Sequence, residues 1–247
     1  MISRQLVSGF LLALGLSGAL MATATADPKL RARPFVFVGS AGECGGVAGS
    51  DIVTAAWLGG LGLADDGVTP TPPPVGARRD PHRGLLLNKN GPTPNCAAAG
   101  ASILGFKPGT TISELGFDHR VGDHCGAGAP RFNVVTTAGF LYFVGGCSAG
   151  THTPAPQDAQ WERVRFSATD FFPANSGPPF VFGLTQVGSI EIIFDEGTDT
   201  PTTSDPTGVG LAVLDNIDIN GELITEGHGE VPRADGKQRN GREDADD

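Results

Sequence analysis

The chain has 247 residues, of which 37 are glycine and 19 proline, and it carries a formal net charge of −10. Glycine breaks helices through backbone freedom and proline through its missing N–H and ring clash, so this density excludes long helices and favours short strands joined by turns. An acidic chain without any run of Lys or Arg interleaved with aromatics also lacks the basic face that nucleic acid or an anionic membrane requires.

The first element is MISRQLVSGFLLALGLSGALMATATADP, in which Arg4 is the only charge before Asp27. Leu6 to Met21 is long enough for the apolar core of a signal peptide and short for a membrane span, and Ala22-Thr23-Ala24 and Ala24-Thr25-Ala26 both offer small-x-small cleavage sites. Residues 1–26 are therefore read as a signal peptide removed on export, with no stable membrane insertion. About 220 residues then fold in a secreted, extracellular or periplasmic setting where thiols oxidise.

Pro34 to Ser40 reads as the first strand. Asp51 to Leu61 reads as a short helix or a strand, stopped in either case by Gly59 and Gly60. Residues 65–84 are too rich in proline for regular structure and read as a long surface loop. Leu85–Asn88 and Ala101–Lys107 are short strands.

Beyond Thr111 the pattern alternates more cleanly. Leu115 and Phe117 share one face, with Glu114, Asp118 and Arg120 on the other. Val164, Phe166 and Ala168 oppose Trp161, Arg163 and Arg165, and Ile190, Ile192 and Phe194 fall together. Gly208 to Ile219 is the longest apolar strand. About nine or ten strands with turns between them predict an all-β, antiparallel two-sheet, jelly-roll-like sandwich over residues 27–225, with long Gly/Pro-rich loops. Residues 226–247 lack apolar periodicity and are expected to form a disordered polar tail without an apolar anchor.

Four cysteines allow three pairings. Arg131–Thr137 and Phe140–Gly146 form a hairpin about Ala138-Gly139, which brings the flanking Cys125 and Cys147 within disulfide reach. Cys44 then pairs with Cys96 by elimination. A cysteine-ligated metal is disfavoured because no C-x-x-C spacing occurs.

Strict alternation puts Asp215 on the face of Leu211, Val213, Ile217 and Ile219, taken as the core face, where an unpaired carboxylate costs several kcal/mol. Three resolutions are open: a bulge turns it outward, an arginine pairs with it, or a cation binds it. Calcium held by Asp215, backbone carbonyls and Glu43 would suit an exported protein. A second cluster comprises Asp118, His119, Arg120, Asp123, His124 and Cys125. It matches no zinc or hydrolase pattern, and its plain reading is a polar strand end with Asp118 capping or pairing with Arg120 or Arg131.

The glycine-rich Gly42-Glu43-Cys44-Gly45-Gly46 lacks the lysine and helix of a phosphate loop. Glu114, Asp118, Glu162 and Glu191 could supply the two carboxylates of a glycosidase only if two of them faced one cleft. A sugar-binding face needs exposed flat rings. Trp161, flanked by Arg163 and Arg165 on the polar face, is the leading platform, with Trp57 and Tyr142 behind it and Asp118 and Arg120 on the neighbouring strand.

The segment Leu214-Asp215-Asn216-Ile217-Asp218-Ile219 resembles the closing strand of bacterial jelly-roll modules of the carbohydrate-binding and galactose-binding-like families. That resemblance implies a two-sheet jelly roll with a structural calcium held partly by Asp215. The stretch GFDHRVGDHCGAGAPRFNV resembles a segment of exported bacterial proteins. The expectation is a secreted, non-catalytic binding module with an extracellular glycan as ligand. A secreted hydrolase acting on cell-surface polymers and a purely structural or adhesive protein are the alternatives.

Overall fold

The computed structural model describes residues 29–49, 52–71, 81–90, 96–196, 208–225 and 227. The expected signal peptide, the middle of the proline-rich loop and all of the polar tail except Gly227 lie outside them.

Among the described residues fourteen strands form two antiparallel sheets. They are β1 (Arg31–Val38), β2 (Val53–Gly59), β3 (Arg83–Lys89), β4 (Ala97–Leu104), β5 (Thr110–Thr111), β6 (Leu115–Arg120) and β7 (Arg131–Thr136). The rest are β8 (Leu141–Val144), β9 (Thr151–Pro154), β10 (Trp161–Arg165), β11 (Phe171–Pro173), β12 (Gln186–Phe194), β13 (Leu211–Ile219) and β14 (Glu222–Ile224). Sheet I runs β1-β4-β12-β7-β8-β11, with β5 on β12; sheet II runs β2-β3-β13-β6-β10-β9, with β14 on β13. The chain changes sheet repeatedly, so the series β4-β12-β7-β8 and β3-β13-β6-β10 interleave in sequence and face each other in space.

The all-β sandwich is as the alternation requires. The segment expected as helix or strand forms β2 over Val53–Gly59, β1 starts three residues before Pro34, and Arg83 and Gly84 of the expected loop open β3. Among the described residues no helix is long and apolar enough to cross a membrane.

The core lies between the inward faces. Sheet I contributes Ala99, Ala101, Phe132, Val134, Ile190, Ile192 and Phe194, and sheet II contributes Leu85, Leu87, Leu115, Phe117, Leu214, Ile217 and Ile219. Phe117, Phe132 and Phe166 meet across the gap with ring centroids 5.6–5.9 Å apart. Such tilted and edge-on contacts suit the ring quadrupoles and add to the gain from burial. Trp57, also inward, donates its indole N–H to Ala32 O at 2.8 Å, which satisfies the buried ring and ties β2 of one sheet to β1 of the other.

Both expected disulfides are formed, Cys125–Cys147 with Cα atoms 5.0 Å apart and Cys44–Cys96 at 5.8 Å. β7 and β8 form the expected hairpin, pairing through Val135 and Leu141, and Gly139 takes φ 85° in the turn. By chain entropy alone the 52-residue Cys44–Cys96 separation should outweigh the 22-residue one by about 0.8 kcal/mol. Cys147, however, is fully buried in the core, so losing its sulfur also loses packing. Replacing Cys125 and Cys147 together by alanine is therefore expected to cost about 4 kcal/mol in urea unfolding, no less than replacing Cys44 and Cys96. A smaller cost for the buried pair would show that the packing term is negligible.

Candidate binding faces

The outward face of sheet II gathers most of the polar residues singled out in the sequence. Antiparallel register sets Arg163 opposite Asp118 and Trp161 opposite Arg120, while Asp118 stands opposite Asp215 on the other side. The Arg163 guanidinium grips Asp118 through Nε at 3.0 Å and a second nitrogen at 3.2 Å, and it donates to Gly67 O at 2.7 Å. Asn216 Nδ2 adds a third donor to Asp118, at 2.9 Å. Arg165 makes the parallel contact to Asp218, at 2.9 Å. Arg120 turns back to Asp123 instead, and Arg131 pairs with Asp195, so neither is the partner of Asp118.

This face is roofed. The segment 61–71 lies over it, held by the Leu63 N–H on Asp215 Oδ2 at 2.6 Å, by Gly67 on Arg163, and by Thr71 and Gln157. Leu63, Ala155, Trp161 and Val213 form a second small apolar cluster beneath the roof. Trp161 is 5% exposed, so its ring packs as a structural residue and offers no flat face to a ligand. Trp57 and Tyr142 are buried as well.

Asp215 also departs from the expected geometry. The β13–β6 register shifts between Asp215 and Asp218, and Asn216 adopts φ 43°. This bulge reverses the alternation: Ala212 and Leu214 point into the core before it, and Ile217 and Ile219 after it. Asp215 thus shares the roofed outer face with Val213 and is separated from Ile217 and Ile219. Asparagine tolerates the left-handed backbone at a bulge better than other non-glycine residues.

The bulge turns Asp215 out of the core, yet the roof keeps it fully buried. It accepts one N–H from Leu63 and one from Asn216 at 2.7 Å, and among the described residues no arginine is bonded to it. Burial, helped by the nearby Asp65 and Asp118 charges and opposed by those two N–H groups, pushes its carboxyl up to about 8.

The donor set does not suit the calcium arrangement expected from sequence. Glu43 lies in the turn after β1 of sheet I, where it accepts from Ser40 N at 2.9 Å and Ser40 Oγ at 2.7 Å. Asp215 is under the roof of sheet II, the oxygens of Asp118 are taken up by Arg163 and Asn216, and the guanidinium already supplies positive charge there. Among the described residues, the one group of three ligand-type side chains is His119 with Cys125 and Cys147. Their sulfurs are joined in a disulfide, which leaves no thiolate to bind a metal.

The remaining cluster residues disperse through strand alternation. His119 points inward, its Nε2 3.2 Å from His124 O, and burial pulls its pKa down to about 4. His124 packs edge-on against Phe194, 3.7 Å from Glu196. The four candidate glycosidase carboxylates do not converge. Asp118 is roofed, Glu114 meets Arg165 on the exposed rim, Glu162 binds His152 at 2.6 Å, and Glu191 sits on the far side of the molecule, in sheet I.

Among the described residues nothing covers the outward face of sheet I, and that face is aromatic. Register aligns Phe172, Phe143, Asn133, Glu191, Ser102 and Arg33 in one row across the sheet. Phe172 is 54% exposed, and the Arg131 guanidinium carbon lies 5.0 Å from the Phe143 ring centre. At the β1 edge Phe35 and Phe37 point to the same side, with Phe37 43% exposed. The sequence carries a signal for these rings in the alternation of Pro34-Phe35-Val36-Phe37. It is missed when only tryptophan and tyrosine are considered as platforms.

Comparison with protein-family models, with curated proteins and with solved structures finds no match to this chain.

Proposed function

We propose that the protein is an exported, non-catalytic binding module of jelly-roll connectivity that presents the outer face of sheet I to an extracellular glycan. The interleaved four-strand series are the strand order of two Greek keys folded into a sandwich, which supports the jelly-roll reading. Two disulfides and the apolar N-terminal run support export. The observation that carries the binding reading is the exposed phenylalanine set, Phe37 at one side of sheet I and Phe172 beside Phe143 at the other, flanking the polar row of Asn133, Glu191 and Ser102. Sugar rings stack on flat aromatic faces while their hydroxyls need polar partners beside them, and an uncovered aromatic sheet face calls for an occupant.

The test is a glycan array with the chain from residue 27 onward, followed by affinity electrophoresis in the polysaccharide that binds. Phe172→Ala and Phe37→Ala are each expected to weaken retention by about tenfold, as for a stacked anchor residue, without changing the melting midpoint. Full retention by both variants would remove sheet I as the binding face.

A further inference from the structure

We infer that the glycan is acidic and that the edge strand β1, with Lys29 just before it, reads it through a ladder of three cations followed by two rings. This inference rests on the glycan reading above. Along the chain Leu30, Ala32 and Pro34 are buried, while Lys29, Arg31 and Arg33 alternate with them and are exposed. Phe35 and Phe37 continue the same outward register, Arg33 opposite Ser102, Phe35 opposite Gly100 and Phe37 opposite Ala98. Same-face residues on a strand are roughly 6.7 Å apart, so the ladder from Arg31 to Phe37 spans roughly 20 Å. Gly100 leaves room for Phe35, whose ring would lie 2.6 Å from a Cβ at that position, so the ring can lie flat over β4.

Alignment sets the three cations apart. Arg120, Arg131, Arg163 and Arg165 are each paired with a carboxylate, and the other described cations, Arg83, Lys89 and Lys107, are scattered singly over the fold. Among the described residues Lys29, Arg31 and Arg33 have no ion pair, although the chain holds 27 acidic residues against 17 basic ones. The Glu222 carboxylate accepts the Leu30 N–H at 2.7 Å, but three cations in line on an acidic molecule still leave one narrow strip of net positive charge for an anionic ligand. A flat anionic membrane or a nucleic acid duplex would also meet the surrounding negative surface. A linear polysaccharide bearing carboxylates or sulfates need touch only the strip, with sugar faces on Phe35 and Phe37 and anions on the arginines. Charge on an edge strand also deters sheet-to-sheet pairing, as does the missing N–H of Pro34. That purpose does not require cations and rings in one register.

The experiment uses the chain from residue 27 onward in affinity electrophoresis against polygalacturonate and alginate as carboxylate polymers and dextran sulfate as a sulfate polymer. Mannan and xylan serve as neutral references, with anionic vesicles and duplex DNA as competitors. The wild type is expected to be retained by an acidic polymer, and whichever acidic polymer retains it identifies the anion. Each of Arg31→Gln and Arg33→Gln is expected to weaken retention by about tenfold, the loss of one hydrogen bond to a charged group. Raising sodium chloride from roughly 0.1 to 1 M, which shortens the Debye length from about 10 to 3 Å, is expected to weaken it further. The glutamine changes carry no like-charge repulsion, and size-exclusion chromatography checks that the variants stay monodisperse.

Binding to neutral polymers alone, lost in Phe37→Ala yet indifferent to Arg31→Gln, Arg33→Gln and salt, would overturn the acidic ligand and leave the glycan reading intact. Acidic binding unmoved by the arginine variants would overturn the ladder. Equal capture by vesicles or DNA, lost in the same variants, would reduce the strip to non-specific charge and overturn the inference. Failure of folded protein to bind any polymer would overturn both readings.

Discussion

Arg163→Ala is expected to lower the unfolding free energy by about 3–5 kcal/mol at neutral pH and the melting midpoint by on the order of 10 °C. The magnitude comes from what is left behind. Asp118 is 0% exposed and the Arg163 side chain 23%, so the arginine can reach water when free and the aspartate cannot. Without the guanidinium, Asp118 keeps one donor, Asn216 Nδ2, for a full buried charge. The same substitution frees Gly67 O, which loosens the 61–71 roof at its far end. A well-packed neutral replacement should cost much less: Arg163→Met combined with Asp118→Asn is expected to recover more than half of the loss, because no charge remains to be desolvated. Arg163→Lys should fall between, since one ammonium cannot span both carboxylate oxygens and Gly67 together. Chemical denaturation of the four proteins checks the series. A loss below about 1 kcal/mol for Arg163→Ala would mean that the roof opens readily and water reaches Asp118.

The fold was legible because the periodicity of the chain is short-range and the core residues obey it. Leu115 and Phe117, Val164 and Phe166, and Ile190 with Ile192 and Phe194 all lie inward as their alternation predicts. Both disulfides followed from one hairpin, because a tight turn fixes which flanking residues meet. Alternation failed at Asp215 because a single left-handed residue, Asn216, reverses every face after it, and no residue pattern in LDNIDI fixes the bulge position. The role of Trp161 was missed for a different reason. Its face was assigned correctly, but outward in a sheet does not mean exposed when a glycine-rich segment 100 residues earlier folds over it. The pairing of Asp118 with Arg163 depends on the β6–β10 register, a contact across 45 residues that local reading cannot supply. The exposed rings of sheet I were missed because sugar platforms were sought only among tryptophan and tyrosine.

Asp215 makes stability fall as pH rises, opposite to the usual behaviour of a paired carboxylate. Its folded pKa is about 8, whereas an unfolded aspartate titrates near 3.9. Between about pH 4 and about pH 8 the unfolded chain has released this proton and the folded chain has kept it, so the unfolded state binds fewer protons. Unfolding free energy then declines by up to about 1.4 kcal/mol per pH unit from this group, levelling off above about pH 8, a total on the order of 5 kcal/mol. The ceiling is the cost of lifting the 61–71 segment, since hydrating the carboxylate is the alternative to ionising it in place. Asp215→Asn isolates the effect. Both Asp215 oxygens accept an N–H, and an amide nitrogen cannot, so the variant is expected to be less stable by about 1 kcal/mol below pH 4. It should nevertheless be more stable than the wild type at pH 8, with the two curves crossing near about pH 5. Urea unfolding from pH 3.5 to 9, with and without chelator, measures the difference. A cation bound to Asp215 would hold the carboxylate ionised and flatten the wild-type slope until the chelator restored it, whereas parallel curves for the two proteins would show that Asp215 is solvated and the roof open.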